Sequence, residues 1–326
     1  MSVRRRWQGR ALAGAVAGLL VLAGCTSGAY STTVVPTPEP TAEATSSPST
    51  AATEAPQCAD PLASYAPAEA LPAPGSMPAG STMAEIQSRG RLVVGVSADS
   101  LLLGARNPIT GVIEGFDIDM ARQVAAAIFG DPDRIELRVI TAAQRIPLLQ
   151  DGEVDLVARN MTITCARWEQ VAFSAEYYLS GQKVLVPLGS TATSLADLAG
   201  ERVCAPAGST SLAKLDDFPD VVAVAGTTHT DCLAKFQQGE VDAITGDDTV
   251  LAGLAAQDPY AQVVGSAFTE EPYGLAMNSE AVDLVRFVNG VLAQTIADGS
   301  WAASYARWLE PSLGPAPVPP TPVYGR

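Results

Sequence analysis

Four consecutive residues rich in hydrogen-bond donors, Gly208-Ser209-Thr210-Ser211, stand between a predicted strand at 202–205 and a predicted helix that begins at Ser211. At such a junction the backbone N–H groups and the hydroxyls can face an anion at the helix N-terminus, so this turn is a candidate carboxylate-binding segment. A Gly-Ser-Thr turn also serves as a simple helix cap. The turn alone does not separate these two roles.

The sequence contains a single histidine, His229, in a Thr-Thr-His-Thr loop that favours a surface position. Without a second histidine, neither a histidine-based metal cluster nor a Ser-His-Asp triad can be built. The sequence therefore predicts no metal site, no cofactor and no catalytic residues.

The elements that position the turn alternate between strand and helix patterns. Short apolar runs bounded by turn residues predict buried strands at 91–96, 135–140, 154–158, 202–205, 221–224 and 241–244. Helical patterns lie between them, at 117–128, 147–150, 195–198, from 211, at 232–237 and at 282–296. Asp117 is the expected cap of the first of these helices, and Gly130 is its expected stop. The alternation predicts an α/β fold of parallel sheets flanked by helices.

The N-terminus carries a targeting signal. Arg4, Arg5, Arg6 and Arg10 precede an uncharged apolar run at 11–22 that is too short to span a bilayer comfortably. The run ends in Leu22-Ala23-Gly24-Cys25, which resembles the bacterial lipobox. This resemblance implies a lipoprotein signal peptide at 1–24, an acylated Cys25, and a protein anchored by lipid at the extracytoplasmic face of the cell membrane. The alternative is an ordinary signal peptide with a coincidental cysteine.

The charge is strongly acidic. The chain has 20 Lys and Arg against 35 Asp and Glu, and removal of residues 1–24 takes away four Arg and no acid, leaving a net charge of -19. Nucleic acid is therefore excluded as a partner, and anionic lipid would not attract the surface. Attachment to a membrane would depend on the acyl chains at Cys25.

Low-complexity segments flank the foldable region. Residues 25–80 are rich in Thr, Pro, Ala, Ser and Glu and predict a disordered tether, and the Pro-rich tail at 314–326 predicts irregular structure. About 230 residues remain between them, enough for one large or two modest domains.

Four cysteines remain after Cys25, an even number that favours disulfides in an exported chain. Three pairings are possible. We favour Cys204 with Cys232, which fall within one candidate lobe, and Cys58 with Cys165, which would attach the leader to the other lobe.

Several sequence words, in order and spacing, resemble the polar-amino-acid solute-binding proteins of ABC importers. They are GFDID at 115–119, QRIPLLQDGEVD at 144–155, MTITCAR at 161–167, GSTS at 208–211, VDAITGD at 241–247 and GSW at 299–301. The likeness covers about residues 85–309. The lipobox, the Pro-rich leader and the Cys204/Cys232 pair look most like the actinobacterial glutamate-binding or glutamine-binding lipoproteins.

This resemblance implies a two-lobed, periplasmic-binding-protein-like fold of type II, in which two α/β lobes are joined by a two-strand hinge. The crossings would lie near 181–186 and 273–277. Lobe 1 would then comprise 81–185 and 273–313, and lobe 2 would comprise 186–272. The resemblance also implies a monomer that closes over its ligand and meets a membrane permease.

The resemblance carries over a set of ligand-binding residues. Arg167 matches the arginine that grips the α-carboxylate, for which a planar bidentate guanidinium is suited. Asp247 matches the ammonium acceptor, although a slip of one residue would exchange it with Asp248. The remaining matches are Thr162, the adjacent Asn160, and Ser209 and Thr210 of the turn.

Arg145 bears on which amino acid is bound. It matches the arginine that meets the distal carboxylate in glutamate/aspartate binders, and Arg159 and Arg106 are lesser candidates for the same role. Glutamate or aspartate is therefore the favoured ligand, with glutamine or asparagine as alternatives. The aromatic rings that many relatives carry near 100–103 and 142 are absent here.

Three functions remain open at this point. The first is capture of an amino acid for an importer, and the second is sensing, with the closed form presented to a membrane receptor. The third is dehydration of a cyclic acid on the same fold. It is disfavoured because the predicted cleft holds Arg, Thr and Ser with one ammonium-pairing Asp and no evident general acid.

Overall fold

The computed structural model describes residues 58–68 and 70–326. The predicted signal peptide, Cys25 and the larger part of the predicted tether lie outside the described residues.

The chain first builds most of lobe 1. Its elements are α1 (Thr82–Arg89), β1 (Leu92–Val96), β2 (Asp99–Ser100), β3 (Gly104–Arg106), β4 (Ile113–Glu114), α2 (Phe116–Phe129), β5 (Ile135–Val139), α3 (Arg145–Gln150), β6 (Leu156–Ala158), α4 (Cys165–Trp168) and β7 (Ala172–Phe173).

The chain then crosses to lobe 2 and returns. The crossing begins with β8 (Tyr178–Ser180), and lobe 2 contains β9 (Gln182–Pro187), β10 (Arg202–Pro206), α5 (Thr210–Ala213), β11 (Val222–Gly226), α6 (His229–Gln237), β12 (Ala243–Asp247), α7 (Asp248–Ala255) and β13 (Ala261–Val264). The return to lobe 1 contains β14 (Glu271–Tyr273), β15 (Ala276–Met277), α8 (Val282–Ala297), α9 (Ser300–Trp308) and α10 (Glu310–Leu313). Short 3₁₀ turns lie at Leu195–Leu198 and Lys214–Asp217.

Each lobe is built around a five-stranded sheet. In lobe 1 the order is β5-β1-β6-β15-β7, with β1 parallel to β5 and β6. In lobe 2 the order is β11-β10-β12-β9-β13, with β10 parallel to β11 and β12 and with β9 antiparallel. The two-lobed α/β fold is therefore confirmed.

The hinge is the antiparallel pair β8 and β14, in which Tyr178 faces Tyr273. It lies a few residues before the predicted crossings, because β9 is a full member of the lobe 2 sheet and β15 belongs to the lobe 1 sheet. The boundary between the lobes thus falls near Gly181 rather than at 185/186. An apolar run has the same appearance in a crossing strand and in a buried sheet strand, so the sequence did not separate the two cases.

An aromatic cluster fixes the hinge to lobe 1. Phe116 lies 5.7 to 6.4 Å, centroid to centroid, from the rings of Tyr177, Tyr178, Trp301 and Tyr305. Trp301 Nε1 also donates to the Tyr177 carbonyl at 2.8 Å. Such packing attaches one end of the hinge to lobe 1.

Asp117 does not cap α2, contrary to the expectation from sequence. The N-cap residue is Gly115, which makes no side-chain cap. The Asp117 carboxylate is buried, where it accepts from Tyr177 Oη and from the Asn160 backbone N–H at 2.7 Å each. It therefore connects the first turn of the helix to the loop after β6.

The leader and the tail make specific contacts. Within the predicted tether, Ser64 is buried and donates through its hydroxyl to the Phe173 carbonyl at 2.8 Å. Within the tail, the Val323 carbonyl accepts from the Ser64 N–H at 2.9 Å. Residues 58–68 and 323–326 therefore pack on lobe 1, although 25–80 was expected to be a disordered tether.

Both disulfides join the cysteines that the sequence favoured. Cys58 pairs with Cys165, with Cα atoms 5.5 Å apart, and Cys204 pairs with Cys232, with Cα atoms 5.6 Å apart. Among the described residues, no helix is both long enough and apolar enough to span a membrane.

Candidate functional site

A small cavity lies between the lobes. Its polar lining comes from the carboxyl ends of strands, where βα connections of open sheets form crevices. Lobe 1 contributes Arg145, Arg159, Asn160 and Thr162, and lobe 2 contributes Ser209, Thr210, Ser211, His229 and Asp247.

Arg167, on α4, is not among the residues that line this cavity, but it lies beside Thr162 and Gly208 at the cavity's edge. Thr164 caps the helix by accepting the Arg167 backbone N–H at 3.2 Å. The buried guanidinium donates to the Thr162 carbonyl at 2.7 Å and, across the cleft, to the Gly208 carbonyl at 3.3 Å. A guanidinium has five N–H donors, so Nε and one hydrogen on each terminal nitrogen have no acceptor among residues 58–68 and 70–326.

The guanidinium of Arg145 donates most of its N–H groups to backbone carbonyls. Its Nε donates to the Ala142 carbonyl at 3.0 Å, and Nη1 donates to the carbonyls of Arg159 and Asn160 at 3.2 Å. Its Nη2 donates to the Gly208 carbonyl at 3.0 Å. One carbonyl of lobe 2 therefore accepts from two arginines of lobe 1.

The arginines form a buried cationic cluster. Burial lowers the pKa of Arg145 well below its usual range, and the positive charges of Arg167 and Arg159 act in the same direction. Burial also lowers the pKa of Arg159, against the attraction of Asp99 and Asp117. Such a cluster favours an additional anion between its members.

Asp247 ends β12 and points into the cavity. Its Oδ2 accepts from Tyr273 Oη of the hinge at 2.6 Å. Its Oδ1 is buried and has no hydrogen-bond partner among residues 58–68 and 70–326. Burial raises the pKa of Asp247 to about 7, with a further contribution from the negative charge of Glu271. A buried acceptor without a donor calls for an explanation, and a cationic ligand would supply one.

Asp248, the alternative to Asp247, faces elsewhere. Its carboxylate accepts from Ser180 Oγ at the hinge, at 2.6 Å. Asp247 is therefore the residue of this pair that lines the cavity.

Glu271 is a buried carboxylate that the sequence reasoning missed. Its Oε2 accepts from Thr162 Oγ1 at 2.6 Å and from Thr210 Oγ1 at 2.9 Å, so it joins the two lobes at the rear of the cleft. Its Oε1 accepts from Thr269 Oγ1 at 2.8 Å. The available signal was an acidic residue two positions before the predicted crossing at 273–277.

Of the remaining predicted residues, Asn160 and Ser209 line the cavity and Arg106 does not. Asn160 lines the cavity with a positive φ of 34°, and its buried Oδ1 lacks a partner in the described part of the chain. Ser209 lines the cavity too, but it also caps α5 by accepting the Leu212 N–H at 3.0 Å. Arg106 does not reach the cavity, since it is exposed and donates to the Gly111 carbonyl at 2.7 Å.

The surface position expected for His229 is wrong. His229 is the first residue of α6, is only 8% exposed and lines the cavity. Burial, aided by the charge of Arg159, lowers its pKa to about 3, so the imidazole is neutral near pH 7. Its Nε2 is buried with no partner among the residues that the structure covers. The Thr-rich sequence around His229 did not indicate this burial, because it depends on how the two lobes enclose the cavity.

Two α/β lobes on a two-strand hinge, with arginines and a carboxylate converging on an interlobe cavity, define a closing ligand-binding protein. The chain belongs to family 3 of the bacterial extracellular solute-binding proteins, whose model matches residues 92–311. The family resemblance read from the motifs is confirmed, and this family consists of substrate-binding proteins rather than enzymes.

Among its relatives, the chain is 36% identical to the ABC transporter glutamine-binding protein GlnH of Bacillus subtilis, over 70% of this chain and 85% of that protein. It is 33% identical to the glutamate-binding protein GluB of Corynebacterium efficiens, over 75% of this chain and 86% of that protein. A solved ancestral arginine-binding protein bound to glutamine is 31% identical, with a TM-score of 0.63, over 68% of this chain and 98% of that one.

Proposed function

We propose that this protein captures a free polar amino acid between its lobes and delivers it to the permease of an ABC importer. The observation that supports this most directly is that, among the described residues, Arg167 in lobe 1 has N–H donors without an acceptor and the buried Oδ1 of Asp247 in lobe 2 has no donor. A free amino acid presents a carboxylate and an ammonium on one carbon, and it would satisfy both groups at once.

In this proposal each lobe contributes to holding the backbone of the ligand. Arg167 binds the α-carboxylate through two N–H donors, and the Thr162 backbone carbonyl holds its guanidinium in place. Asp247 accepts from the ammonium, and the Tyr273 hydroxyl holds its carboxylate in place. Ser209 and Thr210 close the cleft from the lobe 2 side. The complete site lies within one chain, which supports a monomer as the binding unit.

We propose an acidic amino acid, glutamate or aspartate, as the preferred ligand. Arg145 and Arg159 line the cavity and favour a second carboxylate. His229, which is neutral near pH 7, lies beside them in the cavity lining. The runner-up is glutamine or asparagine, and the relatives named glutamine-binding proteins support glutamine.

Titration calorimetry of the mature protein with glutamate, aspartate, glutamine, asparagine and leucine tests this directly. We expect micromolar binding of the acidic pair, amides bound at least about tenfold more weakly, and no heat with leucine. In R145Q the preference for glutamate over glutamine is expected to shrink to about twofold or less. Equal or tighter binding of the amides would overturn the acidic preference. The absence of binding heat with every polar amino acid would overturn the proposed function.

We also propose that Cys25 carries the lipid that holds the protein at the outer face of the membrane. The support is the basic, apolar and small-residue order of 4–25, since Cys25 itself lies outside the described residues. Mass spectrometry of the membrane-extracted protein is expected to find an N-terminal acylated Cys25, and C25S is expected to release the protein into the medium. An unmodified cysteine on a membrane-retained protein would contradict the proposal.

A further inference from the structure

The helix that carries Arg167 is too short to hold its own position. Helix α4 has four residues, Cys165–Trp168, whereas helix formation is cooperative and its first turn is unfavourable in isolation. The place of the Arg167 guanidinium therefore depends on what packs behind the helix.

The N-terminal leader packs there. Cys58 is disulfide-bonded to Cys165, the first residue of α4. At the other end of the helix, Trp168 Nε1 donates to the Pro61 carbonyl at 2.8 Å, and the Tyr65 ring meets the indole edge-on at 6.3 Å. The leader thus holds both residues that flank the Ala166-Arg167 pair.

The C-terminus completes the same structure. The guanidinium of Arg326 lies over the Trp168 ring, 3.9 Å from its centroid, and its Nε donates to the Ala63 carbonyl at 2.7 Å. The Gly325 N–H donates to the Ser64 carbonyl at 3.0 Å. Residues 58–66 and 323–326 together are called the terminal clasp below.

The terminal clasp is itself fixed to the core. The buried hydroxyl of Ser64 donates to the Phe173 carbonyl and accepts from Asn289 Nδ2 at 2.9 Å. Asn289 Nδ2 also donates to the Tyr65 carbonyl at 2.7 Å, from helix α8. A rigid support therefore runs from α8 through the clasp to α4.

We propose that the terminal clasp is a positioning element for Arg167, which sets the affinity for the ligand from outside the cleft. It lies entirely outside residues 92–311, the span that the family model matches. The proposal rests on the proposed function, in which Arg167 holds the α-carboxylate. A guanidinium displaced by a fraction of an ångström loses bidentate geometry, so a binding side chain needs surrounding residues that hold it in position.

Two clasp variants and one matched control test the proposal by calorimetry on the mature protein. R326Q removes the guanidinium from the Trp168 ring, and C58S/C165S removes the disulfide. R307Q removes the same kind of contact elsewhere, since Arg307 lies 4.4 Å from the Trp308 ring centroid. We expect Kd for glutamate to rise about fivefold in each clasp variant and to stay unchanged in R307Q.

The decisive measurement repeats each clasp variant in an R167K background, which retains charge but lacks the planar fork. If the clasp acts through Arg167, its loss changes Kd there by less than about twofold. A fivefold loss that persists in R167K would show a general structural effect and overturn the proposal, as would unchanged affinity in R326Q and C58S/C165S. Because R326Q alters one exposed side chain, its Kd can still test the proposal if the disulfide variant fails to fold. Absence of binding by the unaltered protein would instead refute the proposed function.

Discussion

Replacing Asp247 with asparagine is expected to weaken amino-acid binding by about 100-fold or more, equivalent to about 3 kcal/mol. The variant keeps the shape of the side chain and an oxygen for the Tyr273 hydroxyl, but it removes the negative charge facing the ammonium. D248N is the matched control, because that neighbouring carboxylate binds Ser180 at the hinge and lies outside the cavity. A loss in D248N as large as that in D247N would contradict the assignment.

The same carboxylate gives the affinity a pH dependence with a definite sign. Burial raises the pKa of Asp247 to about 7 in the ligand-free site, while an ammonium binds only the ionised form. Affinity is therefore expected to be constant above about pH 7 and to fall roughly tenfold per unit below it. His229, with a pKa of about 3, does not titrate in this window, whereas Asp117 has its pKa raised by burial to about 6. D247N is expected to remove the slope between pH 6 and 7, and a slope that persists there would refute the assignment to Asp247.

Replacing Gly208 with alanine is expected to weaken binding by roughly 10- to 100-fold by opposing closure of the lobes. Gly208 has a φ of +75°, and a Cβ there would stand 2.8 Å from Ala143 Cα across the cleft. Because the obstacle is backbone, it cannot be relieved by a change of rotamer. Each lobe can still fold, so the expected defect is in the closed state, measurable as weaker calorimetric binding and a more expanded ligand-saturated protein by small-angle scattering.

The control for this variant is G200A in the same lobe. Gly200 has a φ of +82° and nothing within 4 Å of an added Cβ, so it carries the conformational cost of about 1 to 2 kcal/mol without the clash. G200A is expected to lower the free energy of unfolding by that amount and to leave affinity unchanged. Equal affinity in G208A and the unaltered protein would show that the close approach of Gly208 and Ala143 is not required for binding.

The pattern of the chain determined which elements form. Apolar runs such as 91–96 and 202–205 became strands β1 and β10 because burial on both faces requires continuous hydrophobicity. Gly130, with a φ of 75°, ends α2 as expected because glycine adopts that conformation readily. Arg159, Asn160 and Asp247 line one cavity because each lies at or directly after the carboxyl end of a strand. Their positions therefore follow from where the strands end.

Other features depended on contacts between residues far apart in the sequence. One is the burial of His229. Two others join separate segments: Glu271 accepts from both Thr162 and Thr210, and the Arg326 guanidinium lies over the Trp168 ring. Composition was misleading at the two ends, because a Pro-rich segment with too little apolar surface to fold alone can still pack on a core formed by other residues.

By itself, the sequence determined the alternation of strands and helices, the acidic balance and the residue types available for a zwitterion, because these depend on local periodicity and chemical identity. Only the tertiary structure decided which carboxylates and arginines meet, where the hinge lies and which distant residues support α4. Those outcomes are set by burial and by long-range packing, and a linear pattern contains neither the dielectric environment of a side chain nor its neighbours in space.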